Sequence, residues 1–266
     1  MPTPSAEPLV SCLMVTRDRP HLAERAVHCF ARQSWQCREL VIIDDGDVDY
    51  SAMLAPFQAA GALIRYVRIG SRPDVLLGEL RNLAIDAADG EWCLQWDDDE
   101  WYDVERIAVQ MAHRGDHAAV ALRWTLMSVE SAAHGRLAFR ADAGIATPGT
   151  VLHRRDAARY PNLRRGEDSA VLRQLRAHGL VVLGSEWSHL FVRCFHGDNT
   201  WDEAHFLQRL RRRPVDWPSY AAARWWHRDL RRHRAFRLNV DEQACLAALD
   251  RYSVDQTVTQ PGAGRP

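Results

Sequence analysis

The chain contains no lysine; all 34 of its basic residues are arginines. A Schiff-base enzyme, a pyridoxal enzyme and a Walker-type phosphate loop each need the ε-ammonium, so none can be built from this sequence. Lysine-free and rich in alanine, the chain has the composition expected of a GC-rich bacterial genome. Its six cysteines (Cys12, Cys29, Cys37, Cys93, Cys194 and Cys245) include no C-x-x-C pair. Several lie in apolar runs, where a free thiol behaves as a small hydrophobe, and the expected compartment is reduced and cytoplasmic. There is no excess of charge: the formal net charge is -1, with no global pull toward nucleic acid. No apolar run is long enough to span a bilayer. The polar, proline-rich residues 1–8 read as a frayed tail and not as a signal peptide, and no internal repeat is visible.

What is present is an alternation of short apolar runs with amphipathic segments. Residues 9–16, 39–44, 63–69 and 91–96 read as strands, and 21–34, 50–60 and 77–88 as the helices between them. This order predicts an α/β fold with a mostly parallel sheet flanked by helices, joined by right-handed crossovers. Beyond residue 102 the pattern predicts a helix over 104–113, a strand over 118–129, antiparallel pieces at 136–139 and 150–153, a helix over 167–178, and strands at 180–183 and 189–195. The chain from residue 202 reads as helical and rich in arginine and tryptophan, with a disordered tail over 254–266.

Ligands of open parallel sheets bind beyond the carboxyl ends of the strands. Thr16-Arg17, Asp44-Asp45-Gly46 and Asp97-Asp98-Asp99 all fall at strand ends, so the topology predicts one shared crevice. The aspartate triplet is the densest of these signals. Adjacent carboxylates raise one another's pKa unless a cation intervenes, and a hard divalent ion suits oxygen ligands. One of the three can equally serve as a helix N-cap. Asp44 and Asp45 can likewise do no more than close a turn at Gly46, and Arg81 can be an ordinary exposed helix arginine.

Three segments in order, 40–46 (LVIIDDG), 78–84 (GELRNLA) and 90–99 (GEWCLQWDDD), resemble the nucleotide-sugar domain of family 2 glycosyltransferases. The likeness runs over about residues 9–106 and resumes at Gly166-Glu167-Asp168. It implies a GT-A-type, Rossmann-like fold over 9–200, with a donor half over about 9–102 and an acceptor half over about 103–200. A helical C-terminal appendage would follow over 201–253. By this resemblance Thr16, Arg17, Asp44, Asp45, Arg81, Asp97 and Asp98 bind the nucleotide-sugar. Asp99 is the first choice as metal ligand, with Asp97 and His196 beside it, and the metal is Mn2+ or Mg2+. Asp168 is the implied catalytic base of an inverting transfer, with Glu167 as its partner; Arg19 is expected to stay in solvent. Asn82 is expected to cap or to bond backbone, and Glu100 to lie outside the metal site.

The implied activity is that of a hexosyltransferase-type enzyme (EC 2.4) using a UDP-sugar and a saccharide, lipid-linked or other hydroxyl acceptor. A catalytically silent relative and a nucleotidyltransferase on a similar sheet are the alternatives. The Arg/Trp-rich C-terminal stretch is expected first to pack its aromatics on the catalytic domain. Second to that comes peripheral contact with the inner face of a membrane, and nucleic-acid binding is not expected.

Overall fold

The computed structural model describes residues 7–72, 74–131, 133–197, 199 and 202–259. Its centre is a seven-stranded sheet in the order β10-β6-β9-β4-β1-β2-β3. The strands are β1 (Val10–Thr16), β2 (Arg38–Asp44), β3 (Ile64–Arg68), β4 (Trp92–Gln95), β6 (Ala119–Leu122), β9 (Leu152–Arg154) and β10 (Leu180–Leu183). Every pairing is parallel except those of β9, which runs antiparallel to both β4 and β6. Both faces of the central strands are buried, as helices on either side of a parallel sheet require. Cys12, Met14, Leu40 and Ile42 pack toward α1 (Pro20–Ala31) and α2 (Ser51–Ala59). The alternate residues Leu13, Val41 and Ile43 pack toward α3 (Leu77–Ala87) and α5 (Glu167–Ala177).

A second, four-stranded sheet has the order β5-β11-β7-β8. It is built from β5 (Trp101–Tyr102), β7 (Trp124–Ser131), β8 (Gly135–Asp142) and β11 (Phe191–Phe195). The single strand predicted over 118–129 is therefore two strands in two sheets. They divide at Arg123, whose amide donates to Leu183 and whose carbonyl accepts from Ala143, while its side chain forks onto Asp142 at 2.9 and 3.0 Å. Between the sheets runs α4 (Arg106–Ala112).

The C-terminal region is helical, with α6 (Glu203–Leu207), α7 (Trp217–Ala221) and α8 (Val240–Thr259) joined by short single turns. Its contact with the second sheet uses Phe206, Leu210 and Leu230 against Met127, Val129 and Phe139. The tryptophans do not take these positions: Trp217, Trp225 and Trp226 are 47%, 66% and 85% exposed. The expectation that the aromatics of this stretch pack inward holds for the phenylalanine and fails for these three. Helix α8 also passes residue 254, where the sequence reading placed a tail; no glycine or proline interrupts it before Pro261. Residues 1–6 and 260–266 of the two expected tails lie outside the described residues. No helix among the described residues is long and apolar enough to cross a membrane. Five of the six cysteines are buried and all are free thiols.

Candidate active site

Parallel register brings the strand-end motifs together. Thr16 sits opposite Asp44 in the β1–β2 ladder, and β1 pairs with β4 up to Leu13 opposite Gln95. The chain beyond β4 therefore turns across the end of β1, where Thr16 Oγ1 donates to Asp98 Oδ2 at 2.6 Å. Asp44 is fully buried; its Oδ1 accepts the Gly46 amide at 2.9 Å and its Oδ2 the Tyr66 hydroxyl at 2.6 Å. Asp45 is held by Arg17 Nη2 at 2.7 Å. Tyr50, stacked on Tyr66, shares a hydrogen bond with Thr16 at 3.1 Å and accepts the Arg19 amide at 2.6 Å.

The three consecutive aspartates diverge to three sets of partners. Asp97 accepts from Gln95 Nε2 at 3.0 Å and faces Arg81 Nη2 at 3.4 Å. Asp98 is bound by Arg19 Nη2 at 2.7 Å, and the same guanidinium reaches Asp99 Oδ2 at 3.3 Å. Arg25 donates to the Asp99 carbonyl. Burial and the neighbouring Asp99 charge push Asp98 above the ordinary carboxylate range. Burial acts on Asp99 in the same way, but the His196 ring, Arg19 and Arg25 outweigh it and hold Asp99 below that range. His196 Nε2 lies 3.6 Å from Asp99 Oδ2, beyond hydrogen-bonding length, and is buried with no hydrogen-bond partner. Among the described residues no three His, Cys, Asp or Glu side chains are grouped as a ready-made ion cage.

Arg81 joins this acidic turn to the start of α5. Its Nη1 bonds Glu167 Oε1 at 3.1 Å and also Asp168 Oδ1, and its guanidinium stacks 5.2 Å over the Tyr160 ring. Asn82, beside it, clamps the Tyr160 backbone in both directions at 2.8 and 2.9 Å. Burial raises Asp168 to about 6, although Arg81 draws it down. A glycine closes the other wall. A Cβ on Gly149 would stand 2.9 Å from Asp97 Oδ2, so the loop can approach the carboxylate only without a side chain. That loop is held by Arg106, fully buried, whose Nη2 donates to the carbonyls of Gly149 and Gln95 at 3.0 and 3.1 Å. The guanidinium lies 4.6–5.4 Å from the rings of Trp96, Tyr102 and Phe191. Cation–π contact takes the place of a counter-ion there.

Residues 11–138 match the model of the family described as Glycosyl transferase family 2. Just under half of the chain is thus similar to a family 2 glycosyltransferase domain. WcaA of Escherichia coli K12, named as a glycosyl transferase of colanic acid biosynthesis, is 32% identical to it over 110 residues, 40% of this chain. The chain spans 38% of the length of that curated relative. Among solved structures, S. aureus TarS 1-349 in complex with UDP-GlcNAc has a TM-score of 0.56 at 15% identity, over 89% of this chain and 78% of that one. The mannosyltransferase PcManGT from Pyrobaculum calidifontis, in complex with GDP-Man and Mn2+, has a TM-score of 0.55 at 14% identity, over 100% and 79%. At such identities the likeness is one of fold, and it agrees with the mainly parallel GT-A arrangement described above.

Of the residues expected at the site, Thr16, Asp98, Asp99 and His196 are brought together around Arg19; Asp97, Glu167 and Asp168 are joined by Arg81; and Asp45 is paired with Arg17 beside Asp44. Glu100 stays outside, accepting the Cys194 amide at 2.6 Å. Arg19 is a correction: it bridges Asp98 and Asp99 and does not extend into solvent. Its counter-charges lie about 80 positions downstream, so nothing local in the sequence marks it. Tyr50, Tyr66, Arg106 and Tyr160 were not singled out from the sequence. For Arg106 a faint signal existed, an arginine shortly after Trp101-Tyr102. Of the loop after His196, Asp198, Thr200 and Trp201 lie outside the described residues.

Proposed function

We propose that the protein is a metal-dependent, inverting glycosyltransferase that moves a sugar from a nucleotide-sugar, UDP-linked by preference, to an acceptor hydroxyl. The observation that carries this reading is Arg81, which ties a part-buried, weakly acidic carboxylate at a helix start, Asp168, to Asp97 of the acidic turn. A base and a diphosphate-facing acid cluster are the two ends that an in-line sugar transfer needs.

The residues fit a divalent ion. Two oxygen or nitrogen ligands of one ion, each about 2.1 Å from it, stand about 3–3.5 Å apart. The buried, partnerless His196 Nε2 facing Asp99 Oδ2 at 3.6 Å matches that spacing better than any direct bond. Asp99 and His196 would hold the ion, which when bound neutralises charge on the leaving diphosphate. Thr16, Arg17, Asp44 and Asp45 line the base end. The Asp44 carboxylate accepts two hydrogen bonds and faces Arg68 Nε at 3.8 Å; with about four acceptor positions it keeps capacity for an imide N–H. Arg19 is placed to exchange its carboxylates for a phosphate oxygen. Asp168 takes the proton of the acceptor hydroxyl as its oxygen bonds the anomeric carbon. The anomeric C–O bond to the diphosphate breaks, and its electron pair leaves with the nucleoside diphosphate.

The test is thermal stabilisation of the full chain by UDP with and without Mn2+, followed by a screen of UDP- and GDP-sugars for turnover. Metal-dependent stabilisation lost in Asp99→Ala and His196→Gln supports the reading. Equal UDP binding by Asp99→Ala and wild type refutes the donor site, and binding without turnover of any sugar returns the silent-relative alternative. A second reading concerns location: exposed Trp217, Trp225 and Trp226 beside Arg224 and Arg228 support contact with an anionic membrane surface. Co-sedimentation with phosphatidylglycerol vesicles, absent for Trp225→Ala/Trp226→Ala, checks it; no co-sedimentation by wild type ends it.

A further inference from the structure

Next to Asp168, starting at Ser169, lies a cleft of about 370 Å³, within the size range of small-ligand sites. One wall is the face of α5 that starts one residue after the proposed base. Ser169, Leu172, Arg173 and Arg176 fall at i, i+3, i+4 and i+7 and line it together. Thr147 and Pro148 form another wall and lead directly into Gly149, against Asp97. Arg193, Arg209 and Arg212 complete the lining, and the Arg193 charge reaches Asp168.

Five arginines thus face the cleft, and the one acid among its lining residues is already taken. Asp142 is forked by Arg123 and bonded by Arg213 at 3.1 Å. Arg209 Nε is buried without a hydrogen-bond partner. Burial and the like charges of Arg212 and Arg193 lower the Arg209 guanidinium to about 10. An adjoining cavity of about 330 Å³ shares Asp142 and Arg209 and is equally arginine-rich. There the charges are matched within the protein: Arg213 bonds Asp216 at 3.2 Å, and Arg234 bonds the same carboxylate. In the first cleft Arg193 is paired with Glu100 at 3.5 Å, and among the described residues Arg173, Arg176, Arg209 and Arg212 have no carboxylate against them.

We infer that this cleft seats the acceptor, and that the acceptor carries an oxyanion, phosphate or carboxylate, about 8–12 Å from the hydroxyl that receives the sugar. That distance is the rise along α5 from Asp168 to Arg173 and Arg176, and the inference rests on the transferase reading for the role of Asp168. It corresponds to a charged group about two sugar units from the reacting hydroxyl. Planar guanidinium groups fork onto oxyanions of either kind. The apolar wall of Met127, Ala146 and Leu172 leaves room for an uncharged ring face between them.

The test titrates the full chain calorimetrically with three probes, in the presence and absence of UDP: a glycerol-phosphate oligomer, a trigalacturonate and neutral maltotriose. One anionic probe is expected to bind at least about tenfold more tightly than maltotriose, and which one it is separates phosphate from carboxylate. Arg176→Gln/Arg212→Gln should lose that preference. A control that removes the same charge from exposed helical positions elsewhere, Arg224→Gln/Arg251→Gln, should keep it. Equal affinity for all three probes, or equal loss in the control, overturns the inference. UDP affinity is measured in each protein separately. Wild type that ignores UDP but selects an anion refutes the donor reading alone, whereas wild type that binds UDP with no anion preference refutes the cleft alone.

Discussion

On the donor side of the crevice each acidic side chain has a cation or a hydroxyl against it: Asp45 has Arg17, Asp98 and Asp99 share Arg19, and Asp97 has Arg81. Across the Gly149 loop the balance inverts: of the five arginines facing the cleft only Arg193 has an acid of its own, Glu100, and the single acid in the lining is committed elsewhere. Acids brought together by a sheet are neutralised from within the chain, so that side can fold without a ligand; on the proposed reading its arginines would give way to metal and diphosphate on binding. The arginine-lined side retains its excess charge, which is how a site for an anionic ligand differs from a structural ion-pair network. Between the two stands Arg81, bonded to Asp97 on one side and to Glu167 and Asp168 at the start of α5 on the other.

Breaking the contrast at the base should have the largest effect. Asp168→Asn is expected to lower kcat about 1,000-fold while UDP binding persists, read by a transfer assay beside UDP calorimetry; full activity in a folded variant would remove Asp168 from the chemistry. Severing the link with Arg81→Gln should lower kcat/KM about 100-fold. Wild-type activity should rise with pH along a limb centred at about 6, where Asp168 loses its proton. Without the Arg81 charge that limb moves upward, and Arg81→Lys restores its position better than it restores the rate. A pH profile unmoved in Arg81→Gln would show that the two sides are not joined there.

Two smaller effects sharpen the comparison. Gly149→Ala puts a methyl group where Asp97 stands and should cost about tenfold in kcat/KM, with little change in melting temperature. The last effect is on stability. A carboxylate whose pKa is raised in the folded state destabilises the fold once ionised. The penalty is therefore absent below the unfolded value, near 4, and complete above the folded value of about 6. Asp168→Asn should then gain on the order of 1 kcal/mol at pH 8 and nothing at pH 4. Denaturant melts at the two pH values check the sign.

Much of the donor side was legible because the parallel-sheet rule needs only strand ends, and Thr16, Asp44 and Asp97–Asp99 mark them. The start of α5 was legible through its Gly-Glu-Asp signature. Arg19, Tyr66 and Arg106 escaped because the reach of a long side chain depends on packing that no local spacing encodes. Arg123 ends one strand and starts another in a different sheet; a continuous apolar run conceals that break. The tryptophans misled for a related reason. Aromatic content says that a surface is to be covered, without saying whether the protein itself covers it. The arginine cleft draws on α5, β11 and the turn after α6, three segments that no sequence window contains together.

The shared guanidinium of Arg81 also has a meaning in time. One arm faces Asp97 and the other holds Glu167 and Asp168. On the proposed reading a diphosphate settling on the acidic turn would compete for the first arm, so Asp168 would respond to the donor before any acceptor arrives. The catalytic cycle should accordingly run in a compulsory order, donor first. Initial-rate kinetics should show free nucleoside diphosphate competing with the donor alone.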